Sequence, residues 1–253
     1  MIHHATSFAA ALFCAAALAG ATPAIAAPIT QAQGDAILQE LKQIRQLLER
    51  PPVPQPVPQA VQAPPPAPEK VTIKLGAEYS LGRADAPVTI IEYNDLQCPF
   101  CNRFYTGAFA EIKKNYVDTG KVRFINRDMP LVDLHPFAMQ AAQASRCAGD
   151  QGKYWEVADN IITHQAGLSA QSIDQIAKDS GIDAVAYRTC MESGRHLEAI
   201  RESAAGASAL GISGTPSFVI GSVEGGTLTG QKLVGAMPFA TFEVVIKELL
   251  GGR

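Results

Sequence analysis

The feature that most limits how this 253-residue chain can fold is a cluster of nine prolines between Pro51 and Pro68. Proline lacks a backbone N–H and fixes φ, so neither a helix nor an inner strand can run through the cluster. The composition predicts a semi-rigid extended linker over residues 51–69, ~3 Å per residue where polyproline geometry holds. The chain is thereby divided, and each side has to be read on its own. Charge divides it too. Residues 1–34 carry no Lys, Arg, Asp or Glu, although 18% of the whole chain is charged, with a net charge of −3. That balance offers no basic footprint and argues against a nucleic-acid partner.

Ahead of the linker, Phe8 to Ala19 is an unbroken apolar run of twelve residues. A membrane-spanning helix needs ~20. Ala24-Ile25-Ala26 then supplies the small residues a signal peptidase requires, so residues 1–26 are expected to be a signal peptide and the protein to be exported. Only His3 and His4 stand where such signals carry Lys or Arg, which leaves an uncleaved anchor as the alternative. Cys14 follows the large Phe13, where lipid attachment wants a small residue, and is read as part of the apolar run. Residues 35–50 read as a helix in which Ile37, Leu41, Ile44 and Leu48 are spaced 4, 3 and 4, the seam of a short coiled coil. The stripe could pack on the chain's own globular part or on another copy. Two heptads alone are marginal, which favours a homo-oligomer, dimer or trimer, built through residues 33–50.

Beyond the linker, residues 70–253 read as one α/β domain. Residues 71–75, 88–93 and 122–127 have strand character. The second of these (VTIIEY) is apolar enough for a central strand buried on both faces. Residues 99–119 are helical, with Phe104, Ala108, Ile112 and Tyr116 four apart and Gly107 as a possible kink. From about 136 to 210 several short helices follow with no strand, one of them capped by Ser169. Strand character returns at 217–220 and 227–229, and residues 238–250 form a closing helix.

Without the signal four cysteines remain: Cys98, Cys101, Cys147 and Cys190. An even count in an exported chain suggests disulfides. Cys98 and Cys101 are too close in sequence to be a strong staple, which leaves Cys147 and Cys190 as the structural disulfide; the rival reading makes them a second redox pair. Cys98-Pro99-Phe100-Cys101 lies between a buried strand and a helix. There Cys98 meets the free N–H groups and positive end of the helix, which favour its thiolate, the nucleophilic form. Cys101, one turn inside, is placed to resolve a mixed disulfide. The sulfur of Cys98 is expected to be exposed and easily ionised. Pro99 suits the first helical turn. Glu92, in the middle of the central strand, would have a raised pKa if buried and could relay the proton of Cys101; the alternative is a solvated edge residue. Thr215-Pro216, directly before a strand, suits either a cis bond or an ordinary trans turn. A cis bond beside the thiols would leave the carbonyl and N–H of Thr215 free to pair with an extended peptide.

These residues together resemble the thioredoxin superfamily, and within it the secreted DsbA family of thiol:disulfide oxidoreductases. His135-Pro136-Phe137-Ala138 before a helix is similar to that family as well. The resemblance implies a thioredoxin fold with an inserted all-helical subdomain at about 134–212, here preceded by a coiled-coil-like arm and a Pro-rich linker. It implies dithiol–disulfide exchange without a cofactor, in the periplasm. Thiol- or disulfide-bearing exported proteins would be bound beside Pro99, Phe100, Thr215 and Pro216, and a membrane protein would be the redox partner. The best-known oxidases of the family have His where Phe100 stands. With one thiolate stabiliser gone, a less extreme oxidant is expected, at ~1.4 kcal/mol per pKa unit and about the same for each ~30 mV. Thr215 before the proline and the arm look more like the oligomeric isomerases of the superfamily. The reading is therefore a disulfide oxidase, with an oligomeric isomerase or reductase as the alternative. A third reading is a copper- or zinc-binding protein using Cys98 and Cys101, with His135 able in principle to join them, although two thiolates underfill a tetrahedral site.

Overall fold

A computed structural model describes residues 28–49, 69–77 and 79–251. The expected signal peptide, Cys14, Arg50 and prolines 51–68 lie outside the described residues. The chain divides into two units, Met1–Pro64 and Pro65–Arg253.

In the first unit Gln31–Glu49 is a single α-helix. It starts a turn earlier than periodicity places it, because Thr30 and Gln33 form a reciprocal cap. The Gln33 N–H donates to Thr30 Oγ1 (3.4 Å) and the Thr30 N–H donates to Gln33 Oε1 (3.0 Å). Arg45 and Glu49 pair at 2.7 Å across one turn. No residue of this helix is buried, and the stripe of Ile37, Leu41, Ile44 and Leu48 is exposed along its whole length.

The second unit is built on a six-stranded sheet in the order β1-β6-β5-β3-β4-β2: β1 Lys70–Lys74, β2 Tyr79–Leu81, β3 Val88–Asn94, β4 Val122–Asp128, β5 Ser217–Glu224 and β6 Thr227–Val234. All seven residues of β3 are buried. It lies parallel to β4 on one side and antiparallel to β5 on the other, which puts Glu92 opposite both Asn126 and Phe218. Alternation then sorts the core. Ile90, Phe124, Phe218 and Ile220 pack with Phe104, Phe109 and Ile112 of the helical segment that follows β3, and with Phe242 and Ile246 of the closing helix Phe239–Gly251. Ile91, Tyr93, Ile125 and Val219 face the opposite way, toward Ala207 and Ile212. β2 is an addition to the strands legible in the sequence. With only three residues and no clean alternation, it is recruited by antiparallel pairing with β4.

The segment 99–117 is helical throughout but not uniformly α. Pro99–Phe104 and Ala110–Ile112 are α, and Tyr105–Phe109 and Lys113–Val117 are π turns. Gly107 lies in the first of these, so the irregularity expected there is a widened turn. Between β4 and β5 come the helices Ala138–Gly149, Tyr154–Thr163, Ala170–Asp179, Ala184–Ser193 and Leu197–Ala209, with no strand among these described residues. Ser169 caps the third through a reciprocal pair with Ser172. A disulfide joins Cys147 in the first to Cys190 in the fourth, with their Cα atoms 5.7 Å apart.

Candidate active site

The turn from β3 into the following helix is built by a buried carboxylate. Asp95 accepts from the Gln97 N–H (2.8 Å) with one oxygen and from the Leu131 N–H (2.9 Å) with the other, which also meets His135 Nδ1 at 2.7 Å. Its main-chain carbonyl receives the Cys98 N–H at 3.0 Å. Gln97 Oε1 accepts from the Phe137 N–H (2.7 Å), and Gln165 Nε2 donates to the carbonyls of Leu96 (2.7 Å) and Cys98 (3.1 Å). The turn is thus tied to the helical insertion on both flanks. Phe104 anchors the helix below it. It is buried with its ring 4.5 Å from that of Phe218 and 5.4 Å from that of Phe242.

Cys98 is the N-cap residue and Pro99 the first helical residue. Both Cys98 and Cys101 are unbonded thiols. Their environments push them apart. The Cys98 pKa falls from 9.0 to about 5: a hydrogen bond from the Cys101 thiol is the largest cause and outweighs the opposing effect of burial, with help from Thr215 and the backbone N–H groups of Cys101 and Phe100. Cys101 is driven well above its ordinary value, first by burial and then by its bond to Cys98 and the nearby Glu92 carboxyl.

The expectation of an exposed Cys98 sulfur is not met. The residue is buried, at 3% exposure. The sulfur does not open on solvent, because residues of the insertion pack against that side of the helix terminus. Cys98 and Cys101 belong to one apolar cluster with Leu96, Ile161, Ile162 and Leu168, against which Phe137 packs. Pro99 and Phe100, by contrast, face solvent, Phe100 at 51%. The Arg103 guanidinium lies 4.9 Å over the Phe100 ring, so a cation stands one turn into the helix beside Phe100.

Glu92 is fully buried, and neither carboxyl oxygen has a hydrogen-bond partner. Burial, and secondarily the charge on Cys98, push its pKa from 4.5 up to about 8. Opposite the thiols the Thr215-Pro216 peptide is cis. The Thr215 carbonyl, expected to be free for a peptide, instead accepts from Cys98 Sγ at 3.4 Å. Thr215 is itself 8% exposed. Pro216 is buried, and its carbonyl accepts from the Gly235 N–H at 2.8 Å.

His135 directs Nδ1 at Asp95 and so serves the turn. Among the described residues, the grouping of three potential metal ligands is Cys147, Cys190 and His196, two of which are joined as the disulfide; it includes neither Cys98 nor Cys101. Sequence reasoning missed Asp95, Gln97 and Gln165. Polar residues in a loop read as solvated, and their partners lie about 36 to 69 positions away. A hint lay in the run Asp95-Leu96-Gln97-Cys98 itself, with two polar side chains immediately before the motif.

A sheet with this strand order, a dithiol turn at the end of its central strand, a cis-proline across from it and a helical insertion define a thiol:disulfide oxidoreductase domain with a thioredoxin fold. The chain belongs to the thioredoxin family, whose model (described as "Thioredoxin") matches residues 74–235. Among solved structures, alpha-DsbA1 of Wolbachia pipientis is similar at 27% identity and a TM-score of 0.63, over 70% of this chain and 93% of that one. A linker-deletion mutant of Proteus mirabilis ScsC shares the fold, at 22% identity and a TM-score of 0.56, over 70% of this chain and 75% of that one. A Na(+)/H(+) antiporter NhaA 1 of Salinispora arenicola is 34% identical over 150 residues, which is 59% of this chain and 22% of that protein. The chain therefore spans less than a quarter of that relative's length. No helix among the described residues is long and apolar enough to cross a membrane.

Proposed function

We propose that this protein is an exported, periplasmic thiol:disulfide oxidoreductase that passes its Cys98–Cys101 disulfide to thiol-bearing exported proteins. The observation that carries the reading is the placement of Cys98: it caps a helix with its sulfur against the Thr215 carbonyl, while Cys101 sits one turn deeper beside buried Glu92. A substrate thiolate attacks Cys98 Sγ, the Cys98–Cys101 bond breaks, and Cys101 leaves with the electron pair and takes a proton from Glu92. A second substrate thiol then loses its proton and attacks the substrate sulfur of the mixed disulfide. Cys98 departs as a thiolate, a good leaving group because its pKa is low. Two electrons end on the dithiol, and a membrane redox partner removes them. Pro99, Phe100 and the Thr215-Pro216 segment flank the bound peptide, and Cys147–Cys190 is a structural staple.

One feature favours a second reading, an oligomeric isomerase kept reduced. The exposed apolar seam of Gln31–Glu49 suits self-association into a dimer or trimer that would present several dithiols to one substrate. Two measurements separate the readings. The reduction potential of the Cys98/Cys101 pair should lie toward the oxidising end for an oxidase. Refolding of a scrambled substrate, with and without residues 28–50, together with the mass of the species in solution, reports on the arm. Loss of assembly and of scrambled-substrate recovery on removing it would favour the isomerase. A Cys98→Ser variant with full exchange activity would overturn both.

A further inference from the structure

Across four neighbouring strands one register row reads Phe218, Glu92, Asn126, Tyr79. Phe218 closes it on the β5 side with an apolar ring. On the other side the row is polar up to the edge of the sheet. Asn126 Nδ2 donates to Tyr154 Oη at 2.5 Å. The Tyr154 ring stacks on Tyr79, with centroids 3.7 Å apart and planes 6° from parallel. Gly149 makes room for this stack, since a Cβ there would come within 2.6 Å of the Tyr79 ring. Tyr79, Gly149, Tyr154, Trp155 and Glu156 line a surface cleft of about 480 Å³. Along this row and its neighbour, four buried oxygens have no hydrogen-bond partner: both of Glu92, Oδ1 of Asn126 and Oδ1 of Asn94. Glu92 and Asn94 are two apart on β3 and so share a face.

Buried polar oxygens are rarely orphaned, and those without a protein partner are commonly satisfied by ordered water. An apolar residue at 126 would fill a sheet interior at less cost than an amide with an unmet acceptor. We propose that Asn126 and Tyr154 are positioning residues that hold water between Glu92 and the cleft, so that the proton Cys101 releases on re-oxidation leaves the protein on the β2 side, away from a protein bound over Cys98. The inference rests on the reading of Glu92 as the acceptor of that proton. When the redox partner re-oxidises the dithiol, Cys101 gives its proton to the Glu92 carboxylate and its thiolate attacks Cys98 Sγ of the mixed disulfide with that partner. The Cys98–partner bond breaks and the partner's sulfur departs with the electron pair. Glu92 then has a proton to return to solvent, and a protein over Cys98 blocks the short way out. The titratable groups around the row are Cys98, Cys101, Tyr79, Tyr105, Tyr154 and the Asp128–Arg146 ion pair, whose N···O distance is 2.5 Å.

The test follows single turnovers of the full chain. Cys98 is loaded with a fluorophore-labelled unfolded protein that has one cysteine, so that the short way out is covered, and Cys101-driven release of that protein thiol is timed from pH 5 to 9. Glu92→Gln should slow release about 10²-fold, the lower range for removing a positioned base. Tyr154→Phe, which keeps the ring stack, and Asn126→Leu should each slow it roughly tenfold and displace its pH profile, and neither should add anything in the Glu92→Gln background. If Glu92→Gln is slow while Tyr154→Phe and Asn126→Leu release as fast as the native protein with an unmoved profile, the route is wrong and the role of Glu92 stands. If Glu92→Gln itself releases at the native rate, the underlying reading fails and the route with it. Should Asn126→Leu not fold, Tyr154→Phe alone decides the matter.

Discussion

The sulfur of Cys98 stands 3.4 Å from the main-chain carbonyl oxygen of Thr215, 117 residues further along the chain. That contact joins the helix after β3 to the start of β5, the two segments separated by the whole helical insertion. It makes the reactive sulfur a shared product of two strands that meet in the middle of the sheet, and it limits how a reagent or substrate can approach.

A depressed thiol pKa is also a statement about stability. The Cys98 value in the folded protein, about 5, lies below the ordinary 9.0. Folding of the reduced form then favours the thiolate. The resulting stabilisation is complete above pH 9, shrinks as pH falls and is gone below about 5. Melting temperatures of the reduced protein should exceed those of Cys98→Ser by a margin that widens from pH 5 to 9. A margin constant across that range would show that the thiolate is not stabilised.

Ionisation and access make opposite demands on reactivity. The low pKa predicts that alkylation of Cys98 by iodoacetamide is already fast at pH 6, with an inflection near 5. Burial at 3% exposure predicts that a bulky maleimide lags well behind a small reagent of equal intrinsic reactivity. Equal rates for both would show that the cover over the sulfur opens freely in solution.

The Cys147–Cys190 bond closes a loop with a sequence separation of 43. On the chain-entropy model, the Cys147→Ala/Cys190→Ala double variant should lose ~3–4 kcal/mol of unfolding free energy in a urea titration. Exchange through Cys98 and Cys101 should persist at temperatures where the variant is folded. Complete loss of exchange in the folded variant would identify the pair as redox-active.

Asp95→Ala removes the acceptor shared by Gln97, Leu131 and His135. Leaving those groups without it should cost about 1–3 kcal/mol. The loosened turn should also raise the Cys98 pKa, read from thiolate absorbance against pH. Unchanged absorbance would confine Asp95 to stability.

Phe104, Ala108, Ile112 and Tyr116 recur every four residues, and a helical segment lies over them. VTIIEY is apolar on both faces, and β3 is buried on both. These elements are legible because helix and strand periodicity are local, set by neighbours within one or two turns. Two departures from the same reading have different origins, the first local and the second not. The Thr30–Gln33 cap carries no apolar repeat, so the arm helix begins a turn before its stripe announces it. Tyr79–Leu81 has too few residues to mark a strand without β4 beside it.

The thiol pair illustrates the divide most clearly. Its position between a strand and a helix, and the helix terminus that favours a charge on Cys98, were determined by the sequence alone, since a turn and the free N–H groups beyond it involve only consecutive residues. Tertiary structure alone decided what covers that sulfur, which carbonyl it touches and which side chains share a row with Glu92. Those depend on the register of strands and on an insertion folding back over the motif. Partners such as Asp95 with Leu131, Leu96 with Gln165 and Cys98 with Thr215 are brought together by the packing of the whole domain, so no local pattern of residues encodes them.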